Sequence, residues 1–269
     1  MYPDMIPFLG LEAAEGRRRW RLPVQAGVCG KRSMLYGACA LAAAIEVAEA
    51  AAGRPLVWAS CHFGRPAPLG TTVDLHVELT AVGRAVSHGR VVGRLGDDEV
   101  FATGLALGAR TFEVQRQWSP CPVVPSPETV PPFVDRASAG MFRGRIEERW
   151  LPVRPAQDAD GSEATVAAGR VMGWLRLPDG VPARASALAA LGDVVAVAAG
   201  LALGREVAAP SLDNSLRIVR PMETEWILAD VHLHAVDQGF VHGTVHLWSA
   251  EGRLLAIAAQ TGAIRLRHP

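Results

Sequence analysis

The sequence has no surplus of charge. Lys and Arg together number 27, as do Asp and Glu, so neither nucleic acid nor an anionic membrane is expected as the main partner. One local basic run, GRRRWR at 16–21, reads as a solvated strand edge. A cysteine framework is also missing. Cys29, Cys39, Cys61 and Cys121 show no close paired spacing, which argues against a zinc knuckle or a disulfide scaffold and leaves reduced thiols. No basic start followed by an apolar run stands at the N-terminus, so no secretory signal is expected. The longest apolar run, VVAVAAGLALG at 194–204, is shorter than a bilayer span. A cytoplasmic globular protein is the expectation. Two catalytic signatures are absent as well: there is no Gly-x-Ser-x-Gly elbow for a Ser-His-Asp hydrolase and no phosphate-cradling Gly-Lys loop.

What the chain does have is repetition. Its 269 residues are 49% hydrophobic and 20% charged, enough for one large core or two small ones. Residues 116–140 are rich in proline, which donates to neither helix nor central strand, so they predict an extended connection between units at 1–115 and 141–269. On either side the same signals recur in order. WRLPV (20–24) and WLPV (150–153) open the halves, and Ala-rich stretches follow at 36–53 and 186–204. A strand then ends in Arg65-Pro66 or Arg220-Pro221, and three alternating runs divided by Gly-containing turns complete each half. The Arg-Pro pairs lie 155 residues apart and the Leu-Pro-Val segments 129, which predicts an additional strand at 164–180.

The Ala-rich stretches carry no polar stripe over their central turns, so each predicted helix must be buried on most sides. An α+β fold follows: a double hotdog, two tandem units each with a buried helix wrapped by an antiparallel sheet. One residue breaks the pattern. In RLLAIAAQTGAIRLR (253–267), Gln260 shares a face with Ala256, Ala258, Gly262 and Ile264. A buried amide left unpaired costs about 1–3 kcal/mol, so Gln260 needs partners.

PSLDNSLRIVRP (210–221) and GRLLAIAAQTGAIR (252–265) resemble the C-terminal half of the acyl-CoA thioesterase II family. SCHFGRPAPLGTTVDLHVELTAVGRAVSHGRV (60–91) resembles its N-terminal half, and the likeness runs from about Gly16 to Arg265. The resemblance implies hydrolysis of acyl-CoA by a water held among an Asp, a Thr or Ser, and a Gln. These positions fall on Asp193, Ser211 and Gln260. The family more often has Thr where this chain has Ser211, a less fixed rotamer. Asp193, read as opening the second helix, would orient the water and take its proton, while Ser211 and Gln260 hold it in place. Backbone N–H groups at a helix start would face the developing oxyanion. No metal or organic cofactor is implied.

Aligning the Arg-Pro pairs brings Ala106 and Gly37, to within a residue, opposite Gln260 and Asp193, so the first half lacks both polar groups. One active centre is expected, in the second half, with the first half as scaffold and part of the ligand groove. Each residue also has a plain structural reading: Asp193 as a helix cap, Gln260 as a satisfied amide. Asp213 shares a predicted face with Ser211 and Ser215 and is read as structural. His232 with His234, and His242 with His246, read as polar ladders, not a metal site. Arg65 and Arg220 read as structural. A non-catalytic binder of acyl-CoA or acyl-carrier protein is the alternative. A hydratase would need an Asp-His pair at a helix start, and none is in reach. Hotdog sheets carry edges and faces that pair, so a homodimer is expected.

Overall fold

The computed structural model describes residues 5–153, 169–178, 181 and 183–266. After a short α1 at Met5–Leu9, its longest helix is α2, Gly37–Ala52. Every position of α2 from Ala38 to Ala48 is buried, as a helix without a polar stripe requires. The second Ala-rich stretch forms two helices, α3 (Ala185–Gly192) and α4 (Val195–Leu203), and α3 packs against α2. Together Ala185–Leu203 is 19 residues with a mean hydropathy of 2.0, long and apolar enough to cross a membrane. Burial of 72% of its most apolar window inside the protein accounts for that composition.

The strands of the first half are β1 (Glu12–Ala13), β2 (Arg19–Pro23), β3 (Leu56–Phe63), β4 (Thr72–Val82), β5 (Val86–Leu95) and β6 (Asp98–Gly108). Those of the second are β7 (Glu147–Trp150), β8 (Arg170–Arg176), β9 (Val207–Ala208), β10 (Ser211–Ile218), β11 (Ile227–Asp237), β12 (Phe240–Ser249), β13 (Leu254–Ala263) and β14 (Arg265–Leu266). Twelve of them make one sheet, ordered β1-β2-β4-β5-β6-β3-β10-β13-β12-β11-β8-β7, while β14 pairs with β9. The order β2-β4-β5-β6-β3 is mirrored by β8-β11-β12-β13-β10. The halves join where β3 runs antiparallel to β10 with Ser60 opposite Ser215. Those residues are 155 apart, the spacing of the Arg-Pro pairs. The expected α+β hotdog architecture is the one found.

Two local expectations are corrected. The mirrored order makes β8, with Trp174-Leu175-Arg176-Leu177-Pro178, the counterpart of Trp20-Arg21-Leu22-Pro23 on β2. β7 in turn flanks β8 as β1 flanks β2, so among the described residues the large sheet has six strands from each half and no additional one. A three-residue likeness misled the alignment, whereas pairing with β11 fixes the true register. Residues 164–168 and 179–180 of the predicted strand lie outside the described residues. The helix expected over 186–204 also breaks. Asp193 (φ −83°, ψ 67°) and Val194 (φ −127°, ψ 1°) leave the helical region between α3 and α4.

The Pro-rich stretch forms no strand. Its short 3₁₀ turns are Pro127–Thr129 and Arg136–Ser138. It lies on the outer face of the second-half sheet, where Val130 joins Trp174, Trp226, Leu228, Trp248 and Leu254 in a second small core. Trp174 Nε1 donates to Pro125 O at 2.9 Å.

Glu49, near the end of α2, accepts from the Leu56 N–H at 2.6 Å and tethers β3 to the helix. Burial, with Glu46 adding to it, raises its pKa from 4.5 to about 7, against the pull of the Leu56 N–H and Arg184. The folded chain therefore holds a proton that the unfolded chain releases between those values. The stabilisation is complete below about 4.5 and is lost as pH rises through about 7. Urea midpoints at pH 5 and pH 8 are expected to differ by about 1–2 kcal/mol on this account, after discounting for partial exposure, and Glu49→Gln is expected to remove that difference.

Candidate active site

The amide of Gln260 finds its partners at the break between α3 and α4. Its Nε2 donates to Asp193 Oδ1 and to Ser211 Oγ, the latter at 2.5 Å. Its Oε1 accepts the Val195 N–H at the start of α4 at 3.2 Å. All three residues expected from the sequence thus meet on one side chain. The helix break is what allows this: continued as a helix, α3 would have used the Val195 N–H for its own ladder. Gly192 supports the close approach of the break to the sheet, since a Cβ there would lie 3.3 Å from Ala258 Cβ.

Ser211 reaches Gln260 through a β-bulge. The register of β10 against β13 shifts between Ser211, opposite Gly262, and Asp213, opposite Thr261. One extra residue on a strand re-aims its side chains. Ser211 is thereby parted from the face it was expected to share with Asp213, whose Oδ1 instead accepts the Thr261 N–H at 2.9 Å. Asp213 is structural, as read, but the shared face was wrong.

Asp193 is 1% exposed and Gln260 4%. Burial raises the Asp193 pKa. Against this act the hydrogen bond from Gln260, the charge of Arg143, the Ala38 N–H and Ser211. The side chain therefore does not cap its own helix, whose N-cap position is Val194. It faces the start of α2, in the other half. Among the described residues its Oδ2 has no partner of hydrogen-bond geometry, and it lies 3.4 Å from where a Cβ on Gly37 would sit. The Tyr36 hydroxyl donates to the Asp193 carbonyl at 3.1 Å. No histidine is among the described groups that act most on the Asp193 carboxyl.

A cavity of about 860 Å³ lies beside this group, and Ser211, Tyr36 and Gly37 form part of its wall. Met34, Leu35, Phe63, Phe101, Met141 and Leu201 make much of it apolar, while Arg32, Arg65, Arg143 and Arg205 add positive charge. Asp193 and Gln260 do not line it. Gly37, without a side chain, is the thin part of the wall between cavity and carboxylate.

The sequence did not reveal a buried ion pair beside the cavity. Arg143 donates to Glu148 Oε2, which also accepts Trp150 Nε1–H at 2.8 Å. The guanidinium contacts the Tyr36 hydroxyl and is held charged mainly by Glu148 against the pull of burial. GRIEERW at 144–150 alternates charge in the manner of a surface, and nothing in it marks Arg143 as interior.

The symmetry argument needs one adjustment. Ala106 lies opposite Trp58 and Thr261 opposite Asp213. Trp58 and Asp213 are 155 apart, so Thr261 is the counterpart of Ala106, and Leu105 that of Gln260. The first half still presents an apolar residue at that place.

The histidines lie on the outer face. His234 Nε2 meets Thr244 Oγ1 at 3.1 Å and His242 Nδ1 meets Thr261 Oγ1 at 3.3 Å. Asp230, His232 and His246 bring three potential ligand atoms within 4.8 Å of one another. Arg170 already takes both Asp230 oxygens, at 2.8 and 2.9 Å, and gives the cluster its cation. Arg65 pairs with Asp98 at 3.6 Å and Arg220 bonds Gln115.

Residues 26–108 match the family model for the acyl-CoA thioesterase N-terminal domain, and 121–264 that for the C-terminal domain. No curated protein matches the chain. Among solved structures, a candidate thioesterase from Novosphingobium aromaticivorans is 34% identical, with 94% of this chain and 97% of that one covered at a TM-score of 0.82. The tesB protein of Mycobacterium avium subspecies paratuberculosis is 22% identical, with 98% of each chain covered and a TM-score of 0.78. The acyl-CoA thioesterase II TesB2 of Mycobacterium marinum is 19% identical over 97% of this chain and 98% of that one, with a TM-score of 0.75. At those lower identities the likeness is one of fold.

Proposed function

Because this chain belongs to the acyl-CoA thioesterase family and is a thioester hydrolase, we propose that it cleaves acyl-CoA with a water held among Asp193, Ser211 and Gln260. The observation that carries the reading is the Gln260 amide, bonded at once to Asp193, Ser211 and the start of α4. A thioester carbonyl is electrophilic enough for direct attack by water, given a base and a fixed approach. Asp193 accepts the proton. Its raised pKa makes it a stronger base than an exposed carboxylate. The Val195 N–H holds the Gln260 oxygen and so orients its nitrogen. Ser211 supplies a hydroxyl at the cavity wall.

Two helix starts could serve the oxyanion. That of α4 is engaged, since Gln260 takes the Val195 N–H. The start of α2 is the one on the cavity, at Gly37. We assign the oxyanion to the Gly37 N–H there, since the Ala38 N–H already faces Asp193 and the helix dipole favours negative charge. The leaving thiolate takes the proton from Asp193, and free CoA and a carboxylic acid depart. Arg32 and Arg205 on the cavity wall suit the phosphates of CoA. On this reading the protein acts in cytoplasmic fatty-acid metabolism as a homodimer without a cofactor. Light scattering behind gel filtration tests the dimer.

Release of free thiol from a panel of acyl-CoAs tests the activity. Chains long enough to fill the apolar cavity are expected to give the highest kcat/KM and acetyl-CoA the lowest, each added buried methylene being worth roughly 1–3 kcal/mol. Asp193 and Gln260 lie behind the cavity wall, and that burial favours a second reading: acyl-CoA or acyl-carrier protein is bound without turnover. Tight binding across the panel with no thiol released would establish it in place of the first.

A further inference from the structure

The strand registers put four polar residues in file. Thr103 stands opposite Cys61, Cys61 opposite Asn214, and Asn214 opposite Gln260. The row crosses β6, β3, β10 and β13 on the face that carries the helices. Thr103, Cys61 and Asn214 are each 0% exposed. Directly opposed residues on neighbouring strands hold their Cβ atoms about 4.5–5.5 Å apart, so Asn214 is the immediate neighbour of Gln260. Yet among the described residues neither Asn214 Oδ1 nor Nδ2 has a hydrogen-bond partner, while the Thr103 hydroxyl faces the Cys61 thiol.

The fold supplies its own control. A shift of 155 residues carries Thr103, Cys61, Asn214 and Gln260 onto Ala258, Leu216, Ala59 and Leu105, and these also pair in file. All four are apolar and at most 1% exposed. The same sheet is therefore built equally well from a dry row. The polar row is an addition to one half only, and it ends at the amide that binds Asp193.

We propose that Asn214 binds a buried water that backs the Gln260 amide, which makes Asn214 a positioning residue for the hydrolytic group. This rests on the reading of Gln260 given above. A buried water needs two to four polar partners. Both atoms of the Asn214 amide and the remaining lone pair of Gln260 Oε1 supply three. The water does not react. It holds Gln260 against rotation, with the Val195 N–H on the amide's other side.

Asn214→Val and Asn214→Thr test this, because they match in shape and differ by one hydroxyl. Asn214→Val is expected to lower kcat about tenfold with KM within about twofold and no loss of melting temperature, since a dry row suits the sheet. Asn214→Thr is expected to stay within about threefold of the parent. A high-resolution crystal structure of the parent is expected to show water density between the Asn214 and Gln260 amides. Equal kcat for the valine and threonine variants, or no density there, overturns the proposal. Gln260→Ala in the same assay separates the two levels. If it is impaired while Asn214→Val is not, only the buried water is wrong; if Gln260→Ala is fully active, the reading of the catalytic group fails and this inference with it.

Discussion

Asp193→Asn is expected to lower kcat for acyl-CoA hydrolysis by about 10²–10⁴-fold, the usual contribution of a positioned base. The substitution is close to isosteric and can keep the Gln260 bond through its own oxygen. The carboxylate's ability to take a proton is therefore what is lost. KM should change little, because Asp193 does not line the cavity. Stability should move the other way. Asp193 is buried with a raised pKa, so its contribution is complete at low pH and is lost as pH rises through that value. Above that pKa the parent carries a buried charge that the asparagine variant does not, and there the variant should melt at no lower a temperature. The parent's kcat should fall as acidity increases, with a midpoint above the ordinary carboxylate range, because only the ionised form acts. Thiol release, a thermal melt and a pH profile on the two proteins check each part. A variant as active as the parent would remove Asp193 from the mechanism.

Much of this molecule is legible in the sequence, and the reason is repetition. Apolar helices with no polar stripe require a sheet around them, and two copies at a fixed spacing require two such wrappings. Gln260 was visible because an amide among Ala256, Ala258 and Gly262 has no place in a core without partners. What sequence distance could not reveal is what comes together across the halves. Asp193 read as the cap of its own helix, because a cap is the local use of an aspartate. It turned out to break that helix and face the start of α2, about 155 residues earlier, a contact only the packing of α2 against α3 creates. Ser211 read as an ordinary strand residue sharing a face with Asp213, because alternation is the default and a bulge leaves no mark in LDN. Arg143 and Glu148 carry no sequence signal of burial at all, and their pairing beside Tyr36 appears only in the fold. Local period and composition reach the sheet, whereas the site is made of its exceptions.

Gln260→Ala is expected to cost about 10²–10³ in kcat, the scale seen when one fixed hydrogen-bond donor is removed from a reacting group. Unlike Asp193→Asn it should also destabilise. It strips the partner from the Val195 N–H, from Asp193 Oδ1 and from Ser211 Oγ. Leaving a buried donor unpaired costs about 1–3 kcal/mol, which a urea midpoint will read. Gln260→Glu separates geometry from charge. It keeps the acceptor for Val195 but sets a second carboxyl against Asp193, and two such groups cannot both ionise at that distance. One proton is then shared, and the acid limb of the rate should move to higher pH without the stability loss of the alanine variant. If Asp193 and Gln260 act as one unit, Asp193→Asn combined with Gln260→Ala should be little slower than Asp193→Asn alone, because the amide then positions water for a base that is gone. Additive losses would mean instead that the two residues act separately, with Gln260 contributing to the fold of the α3–α4 break and Asp193 to the chemistry.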